Sequence, residues 1–364
     1  MRILQILSGG GVNGAILHCL HLTRALVERG YHVTLLGRPG AWIEGELGDS
    51  VEFIPSPMHR LPPNELRRVA GIVRERRIDL LHTHQSRAHF FGVLLRRMTG
   101  VPCVATAHNR KFQLHWRFND LVIANSEATR RFHRLFNLVP TRRIETLHYF
   151  IDSERFVFDE EQRSAFRSEL QLSPEDRVLG IVGDVIPRKG HIHLIRALPA
   201  IVAQTPNIRL LIVGSDNHDA SYTAKLKSEA EQLGVADRVV WAGFRRDTPA
   251  AFAAMDVCVC AALEEAFGLT AAEAHSARRP VVATTAGGLG EIVEDGKTGY
   301  LVPPGNPAAL ADALTRLLSD PQRAEQFGEA GRIVVQQKFA RETFLNRLDT
   351  IYSRLTERTA RRAA

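Results

Sequence analysis

The stretch Glu264-Glu265-Ala266-Phe267-Gly268-Leu269-Thr270-Ala271-Ala272-Glu273 sets two carboxylates, Glu265 and Glu273, around a turn. Ionised carboxylates accept hydrogen bonds in pairs, which suits the vicinal hydroxyls of sugars. Gly268 lets the backbone approach a ligand that a side chain would hold off. The amides after it open a predicted helix, and a helix N-terminus suits a phosphate. The competing reading is a surface acid and a second acid near the start of a helix dipole.

A second constellation, Gly183-Asp184-Val185-Ile186-Pro187-Arg188-Lys189-Gly190, puts two cations just before another predicted helix. Arg forks onto phosphate oxygens and Lys adds a point charge, so Arg188 and Lys189 fit the diphosphate of a leaving group. Gly9, Gly11 and Gly14 spell G-x-G-x-x-G between a strand and a helix, the dinucleotide pattern. That site asks for an acid at the end of the second strand. Gly37-Arg38 stand there, which disfavours NAD and leaves an NADP-dependent oxidoreductase as a rival. His82 and His84 lie on one side of a predicted strand with no third ligand nearby in sequence, so no metal is expected. His108 follows the predicted strand 101–107, at the end where open parallel sheets place ligands, and is the candidate of the first half.

The elements that must carry these residues alternate. Apolar runs predict strands at 2–7, 32–36, 51–54, 78–84, 101–107, 120–124, 178–182, 210–213, 239–242, 257–261 and 280–284. Helical periodicity predicts helices at 16–29, 66–77, 192–202, 224–233, twice within 306–340, and at 342–358, with a frayed basic tail after it. Alternation in two halves, each opened by a glycine turn, argues an α/β fold: two doubly wound, Rossmann-like domains facing a cleft. The chain has 364 residues, enough for both.

Composition narrows the class. A 45% hydrophobic and 24% charged chain is ordinary for a soluble protein, and no apolar run reaches the length of a membrane span. Residues 1–8 read as a first strand and not as a signal peptide. Four cysteines without a CxxC pair are expected to be reduced core residues in a cytoplasmic protein. Residues 1–150 hold 21 Lys+Arg against 11 Asp+Glu, a net of +10, while the rest hold 26 against 29, a net of −3. A basic first half predicts an anionic partner. No helix-turn-helix, zinc finger or RNP-like strand speaks for nucleic acid. An anionic membrane surface or a phosphorylated glycolipid fits better, with the basic face of the predicted helix 66–77 as one contact.

The block EEAFGLTAAEAHSARRPVVATTAGGLGEIVEDGKTGYLVPPGN, residues 264–306, closely resembles the donor-binding half of retaining GT-B glycosyltransferases of family four (glycosyl transferases group 1). That family's E-x7-E motif matches Glu265 and Glu273, and the resemblance extends over nearly the whole chain. It implies an acceptor-binding domain at 1–155, completed by the helix 342–358, and a domain at 156–341 that binds a nucleoside-diphosphate sugar. Glu273 is then expected on the ribose diol and Glu265 on hydroxyls of the donor sugar. Arg188 and Lys189 are expected on the diphosphate, assisted by the amides of Phe267, Gly268 and Leu269. Gly10 and Gly11 match the family's Gly-Gly loop against the donor phosphate, and His108 matches a histidine that touches the transferred sugar.

Two departures stand out. The family pattern G-R-x(n)-K-G finds Lys189-Gly190 here, but Asp184 at the Arg position, so Arg188 is expected to supply that contact. His148-Tyr149-Phe150-Ile151-Asp152 matches a hinge segment that usually reads N-G-I-D. With no D-x-D motif, the resemblance implies metal-independent, front-face transfer of a hexose without cofactor. The expected donor is a UDP-hexose, with GDP-mannose behind it. The expected acceptor is a saccharide or glycolipid, in lipopolysaccharide or other cell-envelope glycan synthesis. The protein is expected in the cytoplasm, with peripheral contact at the inner face of the membrane. Besides the oxidoreductase, a sugar-nucleotide 2-epimerase of the same fold and a non-catalytic sugar-nucleotide-binding protein remain as alternatives.

Overall fold

The computed structural model describes residues 1–58, 63–216 and 219–363. The chain divides into two compact units: Met1–Tyr149 with Glu342–Ala364, and Phe150–Arg341.

The first unit opens with β1 (Arg2–Leu7), α1 (Gly14–Glu28), β2 (His32–Gly37), β3 (Glu52–Pro55) and α2 (Pro63–Glu75). It continues with β4 (Leu80–His84), α3 (Ser86–Thr99), β5 (Cys103–Ala107), β6 (Leu121–Ala124), α4 (Glu127–Leu135) and β7 (Ile144–Thr146). Its strands form one sheet in the order β3-β2-β1-β4-β5-β6-β7, and every pairing is parallel. The order reverses between β1 and β4, where Leu7 lies opposite His84. Such a switch point is where open parallel sheets leave a crevice outside their carboxyl ends. Strands buried on both faces are largely apolar, as Ile3, Leu4, Ile6 and Leu7 of β1 are, and the buried Gln5 among them accepts a hydrogen bond from the Thr23 hydroxyl.

The second unit runs α5 (Glu160–Glu169), β8 (Arg177–Val182), α6 (His191–Gln204), β9 (Ile208–Val213), α7 (Ala220–Gln232), β10 (Val239–Gly243) and α8 (Thr248–Ala254). Then come β11 (Val257–Cys260), α9 (Leu269–Ser276), β12 (Val281–Thr284), α10 (Leu289–Ile292), β13 (Gly299–Val302), α11 (Pro307–Leu318) and α12 (Pro321–Lys338). Its sheet, again all parallel, has the order β10-β9-β8-β11-β12-β13, with the reversal between β8 and β11. A core of Leu179, Ile181, Leu194, Leu198, Leu210 and Leu314 fills the space between this sheet and its helices.

The last helix, α13 (Arg341–Ala363), returns to the first unit. There Asp349 accepts hydrogen bonds from Arg29 at 2.8 Å and from the Tyr31 hydroxyl at 2.7 Å, and the buried Tyr352 hydroxyl meets His82 Nδ1 at 2.5 Å. The expected frayed tail after 358 is corrected, because the helix continues to Ala363; the stretch holds no Gly or Pro, and Thr356 and Thr359 bond back to helix carbonyls. Ala364, the last residue of that tail, lies outside the described residues. The expected boundary at 155/156 also moves, to Tyr149/Phe150. Ile151 donates to the Phe339 carbonyl at 3.0 Å and Phe156 packs edge-on against Phe252, which ties residues 150–156 to the second unit.

Candidate active site

In the second unit the two candidate loops leave the sheet from the strands that flank its switch point. β8 hands on to Gly183 and a tight turn at Pro187–Lys189, while β11 hands on to the loop that carries Glu265. Gly190 closes the first turn with φ 76°, and a Cβ there would strike the Ala261 carbonyl just past β11. No side chain fits, so the two loops can lie in contact. The Leu263 amide then donates to the Arg188 carbonyl at 2.8 Å. Gly268 takes φ 109° at the start of α9, with Leu289 Cδ2 2.8 Å from where a Cβ would stand. Thr270, a residue that motif reading passed over, fastens α9 to the end of β8 by donating to the Val182 carbonyl at 3.3 Å.

This architecture brings Lys189 and Glu265 together, with Lys189 Nζ 2.6 Å from Glu265 Oε2. The other carboxylate oxygen accepts from the Ala266 amide at 3.1 Å. Burial alone raises the Glu265 carboxyl, but Lys189, Arg188 and the Ala266 amide outweigh it and hold the group below its ordinary range. The sequence reading had sent Lys189 to the diphosphate and Glu265 to the sugar; the two are paired with each other here, so a ligand must share the lysine with the carboxylate. Arg188 is exposed and forms no ion pair with a described residue. The amides of Gly268 and Leu269 donate to no described residue, whereas the Phe267 side chain is buried and packs edge-on against Phe339. Val182, Lys189, Ala262, Glu265, Gly268 and Thr270 line a recess of about 20 Å³, room for roughly one water.

Glu273 sits half-buried on α9, and its carboxylate makes no hydrogen bond to a described residue. Burial pushes its carboxyl up to about 7, against the pull of Arg155 and Lys189. Lys189 therefore acts on both carboxyls of the motif, and Arg155, whose part the sequence did not signal, acts on the second.

In the first unit, Gly10 and Gly11 follow β1, and a Cβ at either would meet nothing within 4 Å. The unit's own packing thus does not demand glycine there. The dinucleotide reading fares poorly: Asn13 caps α1 and its side chain accepts from the amides of Ala15 and Ile16 at 3.0 and 3.2 Å, the donors a pyrophosphate would need.

His108 directly follows β5 and is wired on both ring nitrogens, Nδ1 to the Tyr149 hydroxyl and Nε2 to His84 Nδ1 at 3.1 Å. Asn125 Nδ2 donates to the same hydroxyl at 3.2 Å, and His18 stacks on the Tyr149 ring at 3.9 Å. Burial lowers His108 to about 3 and His82 to about 3, so both rings are neutral near pH 7. His82 is spent on Tyr352 and on Thr106 Oγ1 at 2.7 Å. Among the described residues no three His, Cys, Asp or Glu side chains stand where they could hold a metal ion. Tyr149, noted in the sequence only as a departure in the hinge segment, is thereby a partner of the candidate histidine.

A protein-family model described as Glycosyl transferases group 1 matches residues 162–334, and one described as Glycosyltransferase Family 4 matches residues 12–155. The chain is similar to a D-inositol 3-phosphate glycosyltransferase of Segniliparus rotundus, 28% identical over 370 residues, which covers 88% of this chain and 80% of that protein. It is also similar to an N-acetyl-alpha-D-glucosaminyl L-malate synthase of Bacillus anthracis, 25% identical over 367 residues, covering 94% of this chain and 93% of that protein. Among solved structures, Anabaena Alr3699/HepE in complex with UDP and glucose superposes with a TM-score of 0.88 at 24% identity, covering 98% of this chain and 100% of that one. With one family model on each unit, a doubly wound parallel sheet in both, and relatives matched over most of their length, the chain belongs to the family 4 glycosyltransferases of the GT-B fold.

Proposed function

We propose that this glycosyltransferase moves a hexose from a UDP-sugar, with retention, to a hydroxyl of an anionic saccharide or glycolipid acceptor in cell-envelope glycan synthesis, lipopolysaccharide included. The observation that carries the proposal is the Lys189–Glu265 pair at the switch point of the second unit, with Arg188 exposed beside it and the first amides of α9 unused. That set offers cations and N–H donors to a diphosphate and carboxylates to hydroxyls. The UDP and glucose held by the Anabaena protein support a UDP-hexose. The net +10 of residues 1–150 supports an anionic acceptor, as do the inositol phosphate and malate in the relatives' names.

In this reading the second unit takes the donor and the first takes the acceptor. Glu273 accepts from the ribose diol, Glu265 from hydroxyls of the hexose, and Arg188 with Lys189 holds the diphosphate. The bond from the anomeric carbon to the phosphate oxygen breaks as the acceptor oxygen bonds on the same face, and the acceptor's proton passes to the departing phosphate. Charge grows on that phosphate, which is where fixed cations act most. His108, neutral and with both ring nitrogens taken by Tyr149 and His84, touches the transferred sugar through its ring edge and not through a hydrogen bond.

Peripheral contact with an anionic membrane belongs to the same proposal. The first unit exposes Phe112, Phe118, Leu135, Phe136 and Leu138, among the exposed cations Lys111, Arg117, Arg131 and Arg134. Asn137 joins the two segments, accepting from the Gln113 amide at 2.6 Å and donating to the Lys111 carbonyl at 2.9 Å. Apolar side chains among cations suit an anionic lipid surface. Among the described residues no helix is long and apolar enough to cross a membrane.

Thermal shift against UDP-, GDP- and ADP-sugars tests the donor, with UDP-sugars expected to give the largest stabilisation. Transfer to D-inositol 3-phosphate, L-malate and a lipopolysaccharide core oligosaccharide, read by NMR of the new anomeric proton, tests acceptor and stereochemistry. Inversion at that carbon, or epimerised donor with no transfer, overturns the proposal.

A further inference from the structure

Gln85 is the residue that the proposed chemistry does not use and the fold does not explain. It follows His84 at the end of β4 and precedes α3, with φ 72° and ψ 157°. Only glycine occupies that region readily, and side chains forced into it cluster where a ligand is bound. The strand on the other side of the switch point, β1, ends opposite it, so Gln85 and Gly9 flank the crevice between β1 and β4. The carboxamide lies over Gly9: a Cβ on that glycine would overlap Gln85 Oε1 and come within 2.7 Å of Nε2. It makes no hydrogen bond to a described residue although Gln85 is half-buried. Beside it, His84 Nε2 is buried with no partner among the described residues. The next two glycines, Gly10 and Gly11, leave the space above them open.

We propose that Gln85, held over the Gly9–Gly11 loop, forms a hydroxyl-binding subsite of the first unit, which takes adjacent hydroxyls of a polyol acceptor. A carboxamide offers an acceptor oxygen and two donor hydrogens on one plane, so it meets two neighbouring hydroxyls at once. It carries no charge, so it reads the hydroxyl pattern and leaves an anionic group to the basic side chains. The strained backbone keeps the amide over the glycine loop instead of letting it swing into solvent, and Gly9 is glycine because a methyl there would displace it. This inference rests on the reading of the first unit as the acceptor unit.

The test uses the full chain with D-inositol 3-phosphate as probe, in the presence of UDP, with binding read by saturation-transfer NMR and rates read in parallel. Gln85→Gly relaxes the backbone and removes the amide. It is expected to raise the apparent Kd and KM for the probe at least about tenfold, the loss of one or two hydrogen bonds. Its Tm rises by a few degrees, on the order of what relief of one strained residue gives, and its UDP affinity is unchanged. Gly9→Ala keeps the glutamine but pushes its amide aside, and is expected to weaken the probe in the same way. Wild-type affinity for the probe in both variants overturns the subsite. So does a wild-type protein that binds UDP but not the probe, which leaves the donor reading standing. A wild-type protein that binds neither overturns the proposed function along with it.

Discussion

Lys189 and Glu265 are worth more to each other than either is to solvent, and substitution separates their structural part from their chemical one. Their side chains are 19% and 16% exposed, so removing the lysine strands a mostly buried carboxylate. Lys189→Ala is expected to cost about 2 kcal/mol in the unliganded protein, less than the full penalty of a wholly buried pair. Turnover should fall about a hundredfold or more if, as proposed, this cation holds the leaving group. Arg188 has no ion pair to lose. Arg188→Ala should leave stability within about 0.5 kcal/mol and still lower turnover. Denaturation and rate measurements on Lys189→Ala, Arg188→Ala and the double variant Lys189→Ala/Glu265→Ala check this; the double variant should regain stability but no activity. Glu273 makes a separate case. Its folded carboxyl titrates near 7 and its unfolded one near 4.5, so the fold holds a proton that unfolding releases between those values. Its contribution is fully present below about pH 4.5 and is lost as pH rises through about 7. Glu273→Gln should therefore be more stable than wild type at pH 8, by about 1–2 kcal/mol after allowance for partial exposure, and equal to it at pH 4.5. A pH series of urea melts reads the difference, and a gap that widens toward acid would contradict the burial argument.

At the scale of elements, the proposed membrane contact has a better candidate than the basic face of α2. α2 is rich in arginine, but Arg68 is spent on Glu65 at 2.6 Å and Arg76, just past its end, on Glu52, and no large hydrophobic side chain of α2 is exposed. The segment after β5 and the end of α4 combine both signals, with Leu135 70% exposed and Phe136 56% exposed beside Arg131 and Arg134. Each cation near an anionic surface adds about 1 kcal/mol, and inserted apolar side chains add the part that salt does not screen. Sedimentation with phosphatidylserine-containing vesicles should show binding that Leu135→Glu/Phe136→Glu abolishes and Arg67→Glu leaves nearly intact, with little binding to phosphatidylcholine alone. Loss with the α2 variant instead would return the contact to α2. The ends of elements were less legible than their centres. The helix expected at 66–77 runs from Pro63 to Glu75, shifted at both ends. Ser126 caps α4 by accepting from the Thr129 amide, a signal that acts only on its own neighbours.

Across the whole molecule, what could be read from sequence is what depends on period and on short motifs, and what could not depends on strand order. Alternating apolar strands and amphipathic helices announced two doubly wound units, and the Glu265/Glu273 spacing pointed to the phosphate-and-sugar site that is proposed above. The ion pair from Lys189 to Glu265 spans 76 residues, and the bonds from His108 to Tyr149 and His84 span 41 and 24. Nothing in local composition encodes those distances; they follow from the order of the strands in each sheet. The same topology makes the units unequal in one respect. The second is a single continuous segment, Phe150–Arg341, with its own sheet and core. The first is interrupted and needs α13, since Tyr352 supplies the partner of the buried His82 and Asp349 the partner of Arg29 and Tyr31. Lys189, Glu265, Glu273, Gly268 and Thr270 all lie in the continuous segment. Residues 150–341 expressed alone should therefore melt in one cooperative step and bind UDP within about tenfold of the full chain, while transferring nothing. A chain that stops at residue 341 should keep that transition and lose the one that belongs to the first unit, because the removed helix takes Tyr352 from the buried His82 and both acids from Arg29. Calorimetry and UDP titration of the two fragments measure both. If the continuous segment folds but does not bind UDP, while the full chain does, the donor site needs residues of the first unit and the assignment made from the Lys189–Glu265 pair is incomplete.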